Sequence, residues 1–179
     1  VSSRHPEELA GLVKELGPKA HAGTPREAAA FGSVVLISVP YGAMPQLGTD
    51  LARELAGKII IDTSNPVERR DGAQVAEWQR KGAGVSTAEL LKNSRVVRAF
   101  NCIPAASLAN QANRKPERIA IPIGGDDAAA IATATRLISE AGFDAVMVGS
   151  LAKSREFDLG QPLAQGNLSA AELRARMTR

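Results

Sequence analysis

Cysteine is nearly absent from the 179 residues: Cys102 is the only one. An intrachain disulfide and a cysteine-rich zinc site are therefore excluded, and a reducing, cytoplasmic setting is the simplest reading. Histidine is almost as scarce, and His5 and His21 have no neighbours at ligand spacing, so no metal site is expected. Phe, Trp and Tyr make up 3% of the chain, too little for a surface that stacks on bases. An excess of one charge is lacking too: 22 basic residues face 19 acidic ones, interleaved along the chain, for a net charge of +3. Nucleic acid is not an expected partner, whereas a phosphorylated small ligand needs no more positive charge than this. No apolar run approaches the roughly 18 residues of a membrane helix, and the opening residues carry no basic stretch followed by an apolar one. The expectation is a soluble chain without a membrane span.

What is present has a clear rhythm. With 44% hydrophobic and 23% charged residues, the chain can fill one core. Short apolar, β-branched runs at 34–38, 58–62, 95–99, 119–123 and 145–148, with a weaker one at 19–22, alternate with helical stripes. This is the pattern of a mainly parallel sheet covered by helices, an α/β fold. Pro122 cannot donate to a ladder, which predicts an edge position or a local irregularity for its strand. The stripes are Leu9, Leu12, Val13 and Leu16; Met44, Leu47, Leu51 and Leu55; and Ile131, Ala134, Leu137, Ile138 and Ala141. Each is expected to be buried, and Gly17, Gly57 and Gly142 follow where a left-handed helix terminator belongs. Thr24 with Glu27, Ser86 with Glu89, and Ser169 with Glu172 read as capping boxes. Ser86 is thus assigned to a helix start and not to nucleophilic chemistry. Residues 65–85 read as a loop with one short helix, and residues 150–179 end in a charged helix.

The chemistry-bearing residues stand where apolar strands end, which is where open α/β sheets bind ligands. The opening Ser3-Arg4-His5-Pro6 resembles a strand end entering a helix, a position at which arginine accommodates the extra phosphate of NADP. Ile37-Ser38-Val39-Pro40, then Asp62-Thr63-Ser64-Asn65-Pro66, then Arg98-Ala99-Phe100-Asn101-Cys102-Ile103-Pro104 repeat the strand-to-loop pattern. Gly124 and Gly125 precede Asp126 and Asp127, whose charge suits a helix start better than a phosphate site. Cys102 lacks a resolving partner and reads as a packing residue.

Taken together and in this order, these segments resemble the NADPH-dependent reductases of coenzyme F420 and the reductase domains of six-transmembrane metalloreductases, up to about residue 151. The resemblance implies a Rossmann-type doubly wound domain over residues 1–151, with residues 152–179 as a helical extension packed on it. It places Ser3 and Arg4 at the adenosine phosphate of NADP. Val39, Pro40, Ser64, Asn65 and Pro66 fall at the nicotinamide end, and Ala99, Phe100 and Asn101 in the loop that meets nicotinamide and acceptor ring. The implied activity is hydride transfer between NADP(H) and a flavin-like or deazaflavin (F420) acceptor. Such a reaction needs no catalytic side chain, because the cofactors carry the chemistry. Two further readings stand beside it: a non-catalytic NADP-binding regulatory domain, and a reductase of another small metabolite. Homodimer and monomer both stay open.

One element of the family pattern is missing from this sequence. An apolar strand, a G-x-G-x-x-G turn and a helix, about 30 residues in all, would precede the segment that opens the chain. The expectation is that the natural protein carries an N-terminal extension supplying them, since the turn's backbone amides receive the pyrophosphate.

Overall fold

The computed structural model describes residues 1–178. Strands β1 (Val34–Ile37), β2 (Ile59–Asp62), β3 (Arg95–Arg98), β4 (Ala120–Gly125) and β5 (Asp144–Gly149) form one sheet in that spatial order. β1, β2 and β3 are parallel; β4 runs antiparallel to β3, and β5 is parallel to β4. Helices α1 (Ala10–Leu16), α2 (Pro25–Phe31), α3 (Met44–Asp50), α4 (Ala52–Leu55), α5 (Glu68–Asp71), α6 (Val75–Lys81), α7 (Ala83–Leu90), α8 (Ala105–Asn110), α9 (Ala128–Glu140) and α10 (Ala170–Met177) lie before, between and after the strands. The fold is α/β, as the alternation of patterns predicts, and Rossmann-like, as the resemblance implies, and among the described residues no helix is long and apolar enough to cross a membrane.

Alternation within the buried strands divides the core in two. Ile37, Ile60 and Val96 pack on one face with Met44, Leu51, Leu55, Trp78 and Leu91. Ile59, Ile61 and Val97 pack on the other with Ala130, Ala134 and Ile138 of α9. A third cluster joins Ala120 and Val146 to Phe157, Leu163, Leu168 and Leu173, so the C-terminal segment lies on β4 and β5.

Pro122 sits in an inner strand, and the register explains how. Ala120 donates to the Leu168 carbonyl, away from β5, and Pro122, two residues on, points the same way. On that side β3 pairs only with Gly124 and Gly125, so the proline withholds no ladder bond there. A register shift between Ile123 and Gly124 supplies the irregularity.

Four expectations need correction. Residues 19–22 form no strand: an isolated Ser2–Gly23 bridge is all that pairs there, because the partner segment turns away at Arg4 into the 3-10 turn Pro6–Leu9. The α1 stripe is not buried, with Leu12 41% and Leu16 55% exposed, since no described element covers it. Residues 65–85 hold two complete helices, α5 and α6, and the start of α7, more helix than the polar composition suggested. Ser86 lies inside α7, buried, and its hydroxyl reaches the Trp78 carbonyl at 3.4 Å. The helix begins a turn earlier, after Gly82, and its first donor, Ala83 N–H, is taken by the carboxylate of Asp158 at 3.0 Å. Thr24 and Ser169 do form capping boxes, and Asp127 caps α9 through Ala130 N–H at 2.7 Å.

Candidate functional site

The register of the parallel strands brings three chain segments to one rim. Ile37 is opposite Asp62, and Asp62 is opposite Arg98, each the last residue of its strand. The loops that follow therefore leave the sheet side by side. Two of these terminal residues are charged and fully buried, which makes sense only as a pair.

Arg98 is the organising group. Its guanidinium donates to Asp62 Oδ2 at 2.9 Å, Ser64 carbonyl at 2.8 Å, Asn65 Oδ1 at 3.0 Å and Asp158 Oδ1 at 2.8 Å. Asp62 also accepts from Ser64 N–H (2.9 Å) and the Thr87 hydroxyl (2.8 Å). Burial pushes the Asp62 carboxyl above its ordinary range, against the pull of Arg98 and of these donors. Tyr41 Oη reaches Thr87 Oγ1 (2.9 Å) and the Ala83 carbonyl (2.7 Å), and burial pushes its phenol up as well. Gly84 lets α7 approach this group: a Cβ there would stand 2.4 Å from Ser154 Oγ and 3.2 Å from Arg98 Cδ.

This network ties together most of the residues singled out by the sequence. Ser64 Oγ accepts from Val39 N–H at 3.2 Å, and Asn65 Nδ2 donates to the Asn101 carbonyl at 2.7 Å. Asn101 Nδ2 donates to the Phe157 carbonyl at 2.8 Å. Because Arg98 only donates and a carbonyl only accepts, both amides have fixed orientations. Asn101 Oδ1 is left buried without a hydrogen-bond partner among the described residues. Next to it Phe100 has φ of 61°, a left-handed conformation that a bulky side chain rarely adopts. Pro66 and Ala99 are buried beneath the rim, while Pro40 is exposed on it. Burial pushes the half-buried Cys102 thiol up to about 11.

Ser3 and Arg4 stand in a separate segment. Ser3 N–H bonds the Gly23 carbonyl at 3.3 Å, and Ser3 Oγ accepts from His5 N–H at 3.1 Å, which leaves the hydroxyl proton free to donate outward. Arg4 is exposed, and among the described residues its side chain makes no hydrogen bond or ion pair to the rim network. Sequence reasoning missed the partnership of Asp62, Thr87, Arg98 and Asp158. The available signal was a charged residue closing each of two apolar strands; Asp158, some 60 residues beyond Arg98 in sequence, carried no signal at all.

The site's relatives can be placed on this geometry. Residues 1–66 match the family of NADP oxidoreductases that depend on coenzyme F420. That NADP oxidoreductase match includes Ser3, Arg4, Val39, Pro40 and Ser64 to Pro66, and it ends before Ala99 to Asn101. Metalloreductase STEAP3 of Rattus norvegicus is 33% identical over 158 residues, 88% of this chain. The chain spans only 30% of that relative's length. A hypothetical protein from Sinorhizobium meliloti superposes with a TM-score of 0.80 at 27% identity, over 94% of this chain and 82% of its own. A protein assigned as an F420-dependent NADP reductase, from Arthrobacter sp. FB24, shares the fold with a TM-score of 0.69 at 22% identity, over 86% and 74% of the two chains. The relationship is thus to NADP-dependent oxidoreductases.

Proposed function

We infer that this protein is an NADPH-dependent oxidoreductase that moves hydride between NADP(H) and a flavin-like or deazaflavin acceptor such as coenzyme F420. The observation that carries the reading is Asn101 Oδ1, a buried acceptor without a partner, held in the rim by bonds that fix its amide. An unmade hydrogen bond of this kind is costly and fits a ligand donor such as a carboxamide N–H. Val39 and Pro40 offer an apolar surface on the same rim, Val39 bonded to Ser64, and Phe100 turns the chain sharply just before Asn101.

Bound NADPH would supply the hydride, and the acceptor ring would take it together with a proton from solvent. The chain's own work is positional. Asn65, fixed by Arg98, holds the two loops at one spacing, and Asn101 orients the carboxamide so that one ring face meets the acceptor. At the other end Ser3 donates to the adenosine phosphate and Arg4 pairs with it.

Fluorescence titration with NADPH and NADH, repeated for Arg4→Ala, tests the cofactor half. Loss of a charge-assisted contact should weaken NADPH by about 10- to 100-fold and leave NADH unchanged. Following NADPH oxidation with FMN or F420 tests the acceptor half. Tight NADPH binding without oxidation by either acceptor would replace the enzyme by a non-catalytic NADP-binding regulatory domain.

A further inference from the structure

A cleft of about 450 Å³ opens behind the Ser64–Pro66 loop, between α6 and residues 155–161. Pro66 forms one wall, Gln79 and Arg80 of α6 another, and Arg155, Asp158 and Gln161 the third. Its chemistry is set by which charges are already spent. Asp158 gives Oδ1 to Arg98 and Oδ2 to the Ala83 amide, so its charge is already paired. The neighbouring carboxylates are committed as well, Glu77 to Lys81 and Glu156 to Lys153. The guanidiniums of Arg80 and Arg155 make no hydrogen bond or ion pair with any described residue. Gly82, at φ of 93°, carries no side chain where the Arg155 stem passes, 3.3 Å from where a Cβ would be. A second hollow of about 330 Å³ shares Arg155 and Gln161 and continues the cleft outward.

Two unpaired guanidiniums in one polar hollow form an anion receptor, with the Gln161 amide beside them while Gln79 Nε2 donates to the Pro66 carbonyl at 3.3 Å. Its position gives the anion a context. Pro66 follows Asn65 directly, and Asp158 bonds the same Arg98 that holds Asn65, so the cleft adjoins the rim where the ring of an acceptor would lie. We propose that this cleft binds the anionic arm of the acceptor, a phosphate or carboxylate carried on a flexible chain, with Arg80 and Arg155 as its ligands. This rests on the acceptor reading given above for the rim. Leu159, 60% exposed at the cleft wall, provides apolar surface for the chain linking ring to anion.

The test is a set of flavin-fluorescence titrations of the full chain without NADPH, so that it does not depend on hydride transfer. FMN carries a phosphate, 10-carboxymethylflavin a carboxylate, and riboflavin no charge. FMN should bind at least about tenfold more tightly than riboflavin, and the ratio should fall to about one in Arg80→Gln/Arg155→Gln. Glutamine keeps the Cβ, Cγ and Cδ that pack near Gly82, and unchanged circular dichroism checks that the variant folds. Arg53→Gln, on α4 at the opposite end of the strands, should keep the wild-type ratio. Carboxymethylflavin grouping with FMN assigns the site to anions in general, and grouping with riboflavin assigns it to phosphate. Equal affinities for FMN and riboflavin, or a ratio untouched in the double variant, overturn the proposal. Arginine-dependent FMN binding without any NADPH oxidation would leave the cleft standing and remove the oxidoreductase reading instead.

Discussion

A single guanidinium holds the candidate site together, and its removal should show it. Arg98→Met leaves Asp62 and Asp158 without their cation in a buried setting, a change that costs about 3–5 kcal/mol in comparable cases. Urea denaturation of wild type and variant measures the loss, and a difference below about 1 kcal/mol would mean the network is dispensable. Asp71 offers a pH-dependent counterpart. The Arg70 side chain, together with the Val67 and Gly42 amides, holds its carboxyl down at about 2. Since the unfolded carboxyl titrates near about 3.9, the stabilisation is full above that value and is lost as pH falls toward 2. The stability gap between wild type and Asp71→Asn should therefore be constant from neutral pH to about 5 and close progressively below about 4. A gap that persists unchanged at the acid end would remove Asp71 as its source.

At the level of elements, the caps separate what the sequence states from what it withholds. Thr24 with Glu27 and Ser169 with Glu172 are local devices, four residues long, and both form as read. Ser86 with Glu89 carries the same letters and does something else, because α7 is capped by Asp158 across 75 residues. Ser169→Ala should accordingly cost about 1 kcal/mol through its lost cap. Asp158→Asn should cost more than Ser169→Ala, because it weakens both the Arg98 pair and the α7 cap, and thermal melts of the two variants rank them. Periodicity made the strands legible to within a residue or two, since burial on both faces demands continuous apolar runs. It misjudged α1, whose stripe is real while its cover is missing from the described residues.

For the molecule as a whole, the positions of the rim loops could be read from the chain, because loops at strand ends follow from strand order. The bonds that fix them could not, because hydrogen-bond partners 25 to 75 residues apart leave no local trace. The same holds for the cleft: Arg80 and Arg155 are ordinary surface letters until the fold sets them on facing walls. One feature reaches beyond architecture into time. Asp158 and the Phe157 carbonyl complete the Arg98 and Asn101 contacts, and both belong to the stretch that follows the last strand. During synthesis the strand bearing Arg98 is made long before its second carboxylate emerges, and closing a loop of that length carries an entropic cost. The rim is therefore completed after the five strands have been made. A chain interrupted after Leu151 would lack both contacts and hold Asn65 and Asn101 loosely, so the site matures only after residues 157 and 158 have been made.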